Sequence, residues 1–430
     1  MQQLLRIVTA ILIIVFAVFA FSNLRVPQFS DFGLLGFINI GISVYLLLLV
    51  ARHFFVLFFS MREQIRREDI SRQEFNPKIS IIVPAYNESI VVAETIRQLQ
   101  VLDYPAIEVI VIDDGSSDDT YKVAFESARN DKRFVVVRQD NAGKGNALNH
   151  GIRLSTSEFV FCMDADSIIA QGSLFAGIRH LSDNAVSAVA GSVYVQNQKS
   201  LIGRFQALEY MIGLNFFKTA QSFLGLVTII PGPSGLFRKA DLVAIGGYKT
   251  DTFAEDCDVT LQLVMNGKKV VFEPLMEVQT EVPESLIQLV KQRYRWNRGI
   301  LQAMRKHFGV LLRFRSNSVG TVLVLYLLAE SVLLPALNIT FGILSLVYTG
   351  MTLDFSQLSL WLIQLTLLDL MVVIFALTDT RWPFRLLFYA LVNRFTYAFF
   401  LEIVRLLSSI EELFGIRMNW GKLERIGVKA

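Results

Sequence analysis

The sequence predicts an α/β domain, its sheet mainly parallel and flanked by helices, set between membrane-spanning helices. Three observations carry this. Hydrophobic residues make up 53% of the 430 positions and the mean hydropathy is +0.46, too apolar for an average soluble domain. The apolar excess lies at the two ends of the chain, as membrane spans require. Between them, short β-rich runs alternate with polar, helix-like stretches, and acidic motifs fall where those runs end.

Residues 4–21 and 34–59 are each long enough for one crossing, for which about 20 residues suffice. Ala17 and Ala20 invite a secretory-signal reading of the first. The second run follows almost at once, so a membrane hairpin over residues 1–60 is the better reading. Arg62, Arg66, Arg67, Arg72 and Lys78 come next, which places the middle region, residues 61–283, in the cytoplasm. There, residues 79–83, 107–112, 134–137 and 159–163 read as strands and 91–101 as a helix. A parallel sheet gathers its chemistry at the carboxyl ends of its strands.

Residues 284–318 read as amphipathic interface helices, and residues 201–226 resemble them. Three apolar segments, 319–348, 358–377 and 383–407, fill a membrane region over 319–412. The third carries Arg394, Glu402 and Arg405. The tail, 413–430, holds Lys422, Arg425 and Lys429, whose preference for the cytoplasm fits two full crossings better than three. A net charge of +3 gives no reason to invoke nucleic acid or another acidic polymer. Cys162 and Cys257 read as free thiols rather than a disulfide, and the four histidines show no zinc-ligand spacing.

Four constellations carry chemistry. Tyr86 and Glu88 follow the first strand, where an aromatic ring can stack on a base; Asn and Glu there also serve as ordinary helix caps. Asp113-Asp114-Gly115 ends the second strand, positioned to accept hydrogen bonds from a base or ribose or to make a simple Asp-Gly turn. Asp164 and Asp166, two residues apart at the end of an apolar strand, can reach one hard cation that also binds a diphosphate, or can form an Asx turn. Glu255-Asp256 offers a general base, and equally the acidic first turn of a helix.

Lys144, in a glycine-rich stretch without P-loop spacing, can assist a diphosphate. The loop Pro231-Gly232-Pro233-Ser234-Gly235 reads as a shaped wall of the cleft. Gln292, Arg295 and Trp296 share one amphipathic segment. Arginine forks onto phosphate oxygens, and an indole gives a sugar a flat face. The alternative is a membrane-surface helix with Arg293, Arg295 and Arg298 among headgroups.

These motifs, in this order, resemble the membrane-embedded, processive family 2 glycosyltransferases, which include cellulose, chitin, hyaluronan and poly-N-acetylglucosamine synthases. Gln292-x-x-Arg295-Trp296 is the most specific part of the likeness. The resemblance implies a GT-A fold and uridine binding by Tyr86, Glu88 and Asp114, with Asp113 beside them. It implies Mg or Mn held by Asp166 and Asp164, and Asp256 as catalytic base next to Glu255. Gln292 and Arg295 would close over the diphosphate, and Trp296 would stack on the acceptor's terminal sugar.

The implied partners are a UDP-sugar (UDP-N-acetylglucosamine or UDP-glucose), a growing polysaccharide, the bilayer of the plasma membrane and, in some such systems, a small membrane accessory subunit. A non-processive enzyme that glycosylates a membrane lipid is the competing expectation. One departure stands out: Ala254 precedes Glu255 where poly-N-acetylglucosamine synthases usually carry Thr.

Overall fold

The computed structural model describes residues 33–70, 74–313, 317–379 and 382–416. The expected first span, 4–21, and tail residues 417–430 lie outside them. Helix α1 (Leu34–Ile70) does not stop at residue 59. No Gly or Pro follows Gly41 within it, so nothing breaks the helix as it passes from the apolar run into Arg62, Arg66 and Arg67. The expected boundary at residue 60 therefore runs through a continuous helix. Glu63 and Arg67 at its end are buried, and Ser222 Oγ donates to Glu63 Oε1 at 2.7 Å.

Eight strands follow: β1 (Ile79–Ala85), β2 (Ile107–Asp114), β3 (Phe134–Gln139), β4 (Phe159–Cys162), β5 (Ser167–Ile169), β6 (Val186–Val195), β7 (Gly235–Arg238) and β8 (Lys269–Thr280). They form one sheet in the order β3-β2-β1-β4-β7-β6-β8-β5. The β3-β2-β1-β4 half is parallel throughout. Beyond it β7 runs antiparallel to β4 and β6, β6 pairs parallel with β8, and β5 closes the edge antiparallel to β8. The sheet is thus mixed, and its parallel half carries the first acidic motifs.

Connecting helices are α2 (Val92–Gln100), α3 (Thr120–Ala128), α4 (Lys144–Leu154), α5 (Ser173–Ile178), α6 (Leu201–Tyr210), α7 (Phe217–Phe223), α8 (Lys239–Ala244) and α9 (Glu255–Met265). Alternate strand residues feed two cores, as the pleat requires. Ile79, Ile81 and Val83 pack with Val92, Ile96 and Leu99 of α2 on one face. Ile82 and Val160 pack with Leu148, Leu261 and Val264 on the other. Both faces being covered, all seven residues of β1 are buried, which is why the run is apolar apart from Ser80 rather than alternating.

The described residues close with α10 (Leu286–His307), α11 (Ser318–Leu328), α12 (Leu334–Thr352), α13 (Ser356–Asp379), α14 (Leu386–Asn393) and α15 (Phe399–Leu413). Wider helical turns join α6 to α7, α11 to α12 and α14 to α15. Among the described residues, four stretches are long and apolar enough to cross a membrane: Leu34–Arg67, Ser318–Thr352, Leu358–Thr378 and Leu386–Leu413. The last qualifies by length and composition although it holds Arg394 and Glu402. Those charges are paired inside the bundle: Arg394 Nη2 lies 2.5 Å from Asp369 Oδ1 and Arg394 Nη1 3.9 Å from Glu402 Oε1. Asn338 Nδ2 donates to Glu402 Oε1. Intramembrane charges persist when they are paired in this way.

Candidate active site

The loops that leave β1 and β2 are tied into one wall. The Asn87 N–H donates to Ser116 Oγ at 2.8 Å, and its side-chain carbonyl accepts the Ser117 N–H at 2.8 Å. The Glu88 N–H donates to Thr120 Oγ1 at 2.7 Å. Val91, the N-cap residue of α2, makes no side-chain cap bond. Tyr86 stands at the rim, 42% exposed.

Asp113 and Asp114 differ sharply. Asp114 accepts from Gln139 Nε2 at 2.7 Å and from the N–H groups of Ala142 and Gly143 at 3.0 and 2.8 Å. Its carboxylate is spent on shaping the turn before α4. Asp113 is wholly buried, and among the described residues neither of its oxygens accepts an aligned hydrogen bond; Arg138 Nε forms an ion pair at 3.2 Å. A buried carboxylate so poorly bonded is costly unless a ligand donor completes it. Gly115 sits at φ +70°, and a Cβ there would lie 2.6 Å from the Asn141 nitrogen, so only glycine brings these turns together.

The second cluster is electrostatic. Lys144, the first residue of α4, places Nζ 2.5 Å from Asp164 Oδ1 and 3.5 Å from Glu255 Oε1. Burial opposes the ammonium charge, but Asp164 and Glu255, with Asp256 behind them, hold its pKa above the ordinary value. Glu255 and Asp256 occupy the first turn of α9, so the base and helix-start readings describe the same residues. Burial, then the neighbouring Glu255 charge, push the Asp256 carboxyl up to about 6, against the opposing pull of Lys144 and Lys218. The loop expected to line the cleft does so: a Cβ on Gly232 would lie 2.9 Å from Lys144 Nζ and 3.8 Å from both Asp164 oxygens.

Asp166 is buried, and its Oδ1 accepts from Ser167 Oγ at 3.2 Å and Thr280 Oγ1 at 3.4 Å. No group of three or more His, Cys, Asp or Glu side chains poised for a metal occurs among the described residues. Asp164 and Asp166 nonetheless suit a hard cation that draws its remaining oxygens from water and a diphosphate. The fit is to a shared site. A cationic group, Lys144, already lies against Asp164.

Gln292, Arg295 and Trp296 fall at i, i+3 and i+4 of α10, on one side of the helix. Gln292 is buried. Trp296 is half-buried against the bundle core and its ring lies 6.3 Å from that of Tyr210. Two of the three arginines of the membrane-surface alternative turn away from a surface. Arg293 and Arg298 are buried in protein, and Arg298 Nε meets Glu412 Oε2 at 2.7 Å. Asn297 Nδ2 donates to Ser408 Oγ and Ser409 Oγ at 2.9 Å each. Both of these α10 side chains find their partners on α15.

Three contributors escape sequence reading. Gly299 lets α10 lie flush against the start of α9: a Cβ there would stand 2.6 Å from the Ala254 nitrogen and 2.7 Å from Ala254 Cβ. The small residue before Glu255 thus belongs to a close helix contact. Lys218, buried in α7, donates to the Ile229 carbonyl; burial draws its pKa down to about 7 although Asp256 opposes this. Arg293 is the third. Cys162 and Cys257 are buried free thiols.

A mixed sheet with acidic strand ends, followed by a helix that opens on two carboxylates, defines a GT-A-type glycosyltransferase domain joined to apolar helices. Residues 80–245 match the glycosyl transferase family 2 model, and the domain is a family 2 glycosyltransferase domain. The poly-β-1,6-N-acetyl-D-glucosamine synthase of Staphylococcus aureus (strain COL) is 34% identical over 244 residues, 56% of this chain and 59% of the relative. That of Staphylococcus epidermidis is 34% identical over 242 residues. The chain therefore aligns with somewhat under two thirds of the length of these relatives. A mannosyltransferase from Pyrobaculum calidifontis, solved with GDP-Man and Mn2+, shares the fold: its TM-score is 0.60 at 19% identity, over 89% of this chain and 100% of that one.

Proposed function

We propose that the protein transfers a sugar from a UDP-sugar to the end of a growing β-linked polysaccharide, with inversion at the anomeric carbon, and passes the product through its membrane helices. The observation that carries this is the convergence of Lys144, Asp164 and Glu255 on one charge cluster, with Asp256 beside it, its carboxyl pushed up to about 6 by burial and by Glu255. The named activity of the staphylococcal relatives favours N-acetylglucosamine as the sugar. The donor is bound on the cytoplasmic side of the plasma membrane, to which Arg62, Arg66 and Arg67 orient α1.

The uridine lies against the wall of Tyr86, Glu88 and Asp113, while Asp114 holds the turn beneath it. Asp164 and Asp166 would hold Mg or Mn, which when bound neutralises diphosphate charge. Asp256 accepts the proton of the acceptor hydroxyl as that oxygen bonds to C1. The C1–O bond to UDP breaks, its electron pair leaves with the diphosphate, and one displacement inverts the centre. Lys144, Gln292 and Arg295 stabilise the departing charge, and Trp296 stacks on the terminal sugar.

The test is UDP release by purified protein in lipid nanodiscs with Mg or Mn and a panel of UDP-sugars. Release is expected with UDP-N-acetylglucosamine or UDP-glucose; release with no member of the panel overturns the proposal.

A further inference from the structure

Arg293 stands inside the Gln292–Trp296 segment and has no role in the chemistry above, yet it is 4% exposed. Its guanidinium is used on every side. Nε and Nη2 fork onto Glu209 Oε1 and Oε2 at 3.0 and 2.6 Å. Nη1 donates to Gln292 Oε1, and Nη2 lies 3.5 Å from Gln206 Oε1. The flat face of the group covers the indole of Trp296, with Cζ 4.3 Å from the ring centroid. One side chain thus grips both the amide and the indole of the motif.

The far end of this grip is a membrane helix. Tyr397 O–H donates to Glu209 Oε2 at 2.6 Å, and its ring stacks on Phe205 of α6 at 5.4 Å. Tyr397 belongs to the wide turn Arg394–Ala398 between α14 and α15. Arg394, three residues earlier in that turn, reaches the opposite way to Asp369 and Glu402. Such turns disrupt regular helix bonding and recur where helices serve function. Here one of them carries two polar side chains, one directed into the bundle and one to the interface.

We propose that Arg293 is a positioning residue: with Glu209 and Tyr397 it fixes Gln292 and Trp296 to the α14–α15 turn, so that the acceptor platform and the membrane bundle shift as one unit. The proposal rests on the reading of Trp296 as the acceptor platform. A planar fork explains why the residue is arginine, since lysine supplies the charge without the two parallel bonds or the stacking face.

The experiment uses full-length protein labelled with 5-fluorotryptophan in nanodiscs, the Trp296 resonance being assigned by its loss in Trp296→Phe. Arg293→Lys and Tyr397→Phe should each shift or broaden that resonance and leave in place the resonance of Trp382, buried and stacked on Tyr194 at 4.2 Å, which shows that the bundle is folded. Both variants should shorten the polymer while UDP affinity stays within about twofold of wild type. Tyr397→Phe combined with Trp296→Phe should be no shorter than the worse single variant, the signature of residues acting as one unit. An unmoved Trp296 resonance in Arg293→Lys overturns the proposal. Fully additive shortening in the double variant overturns the coupling to the membrane turn. A moved resonance in Arg293→Lys with wild-type polymer length in Trp296→Ala supports the positioning role and discards the acceptor platform, so the two failures are distinguishable.

Discussion

Asp256→Asn separates chemistry from stability at the start of α9. The substitution keeps shape and removes the ability to take a proton, and loss of a positioned base costs about 100-fold to 10,000-fold in rate, or about 3–5 kcal/mol of barrier. The folded state holds this carboxyl up to about pH 6 because it is buried beside Glu255, whereas an unfolded aspartate ionises near 3.9. Between about pH 4 and 6 the folded chain therefore keeps a proton that the unfolded chain has released. Stability falls as pH rises through that window and is level above it.

The asparagine variant escapes this penalty. At pH 7.5 it should be more stable than wild type, by at most about 3 kcal/mol, and at pH 4 the difference should vanish. Wild-type turnover should rise about tenfold per pH unit below 6 and level off above. Polymer formation and thermal unfolding in the same nanodiscs, measured from pH 4 to 8, check all three. A variant that is fully active, or one that is inactive because it unfolds at every pH, refutes the assignment.

Gly299→Ala should force α10 away from Ala254, cost about 1–3 kcal/mol of stability and lower turnover by about 100-fold through displacement of Asp256; kinetics against thermal unfolding reads both. Asp166→Ala should weaken UDP binding when Mg or Mn is present and leave metal-free binding unchanged, measured by calorimetry with and without chelator. Trp296→Ala should shorten the product more than it weakens UDP binding, seen by sizing polymer from equal turnover. Arg394→Met leaves the buried Asp369 without its cation and Glu402 with the Asn338 amide, and should cost about 3–5 kcal/mol, partly restored by adding Asp369→Asn, as thermal unfolding will show.

The parallel half of the sheet was legible because its strands are short apolar runs that end on acids. Strands β6, β7 and β8 were not read. Residues 186–195 bury every position without alternation, and β8 interrupts its apolar pattern with the buried Glu273 and Glu277. Their identity as strands comes from pairing with distant partners, not from local periodicity. The acids at the strand ends were visible in the sequence, but not which of them shape the backbone: Asp114 is spent on the turn before α4. Arg293 shows the limit. A basic residue near an apolar helix reads as a headgroup contact, and only the fold brings it Glu209, 84 residues away, and through it Tyr397, 188 residues from Glu209. Gly299 is silent for the same reason, since its use lies in another helix.

The most direct test of the central claim is the size of the product made by purified protein in nanodiscs from labelled UDP-N-acetylglucosamine or UDP-glucose with Mg or Mn, before and after digestion by glycosidases of known linkage. The account predicts a long, β-linked polymer that is absent with Asp256→Asn. A single sugar on an extractable lipid, with no polymer at any donor concentration, would contradict it.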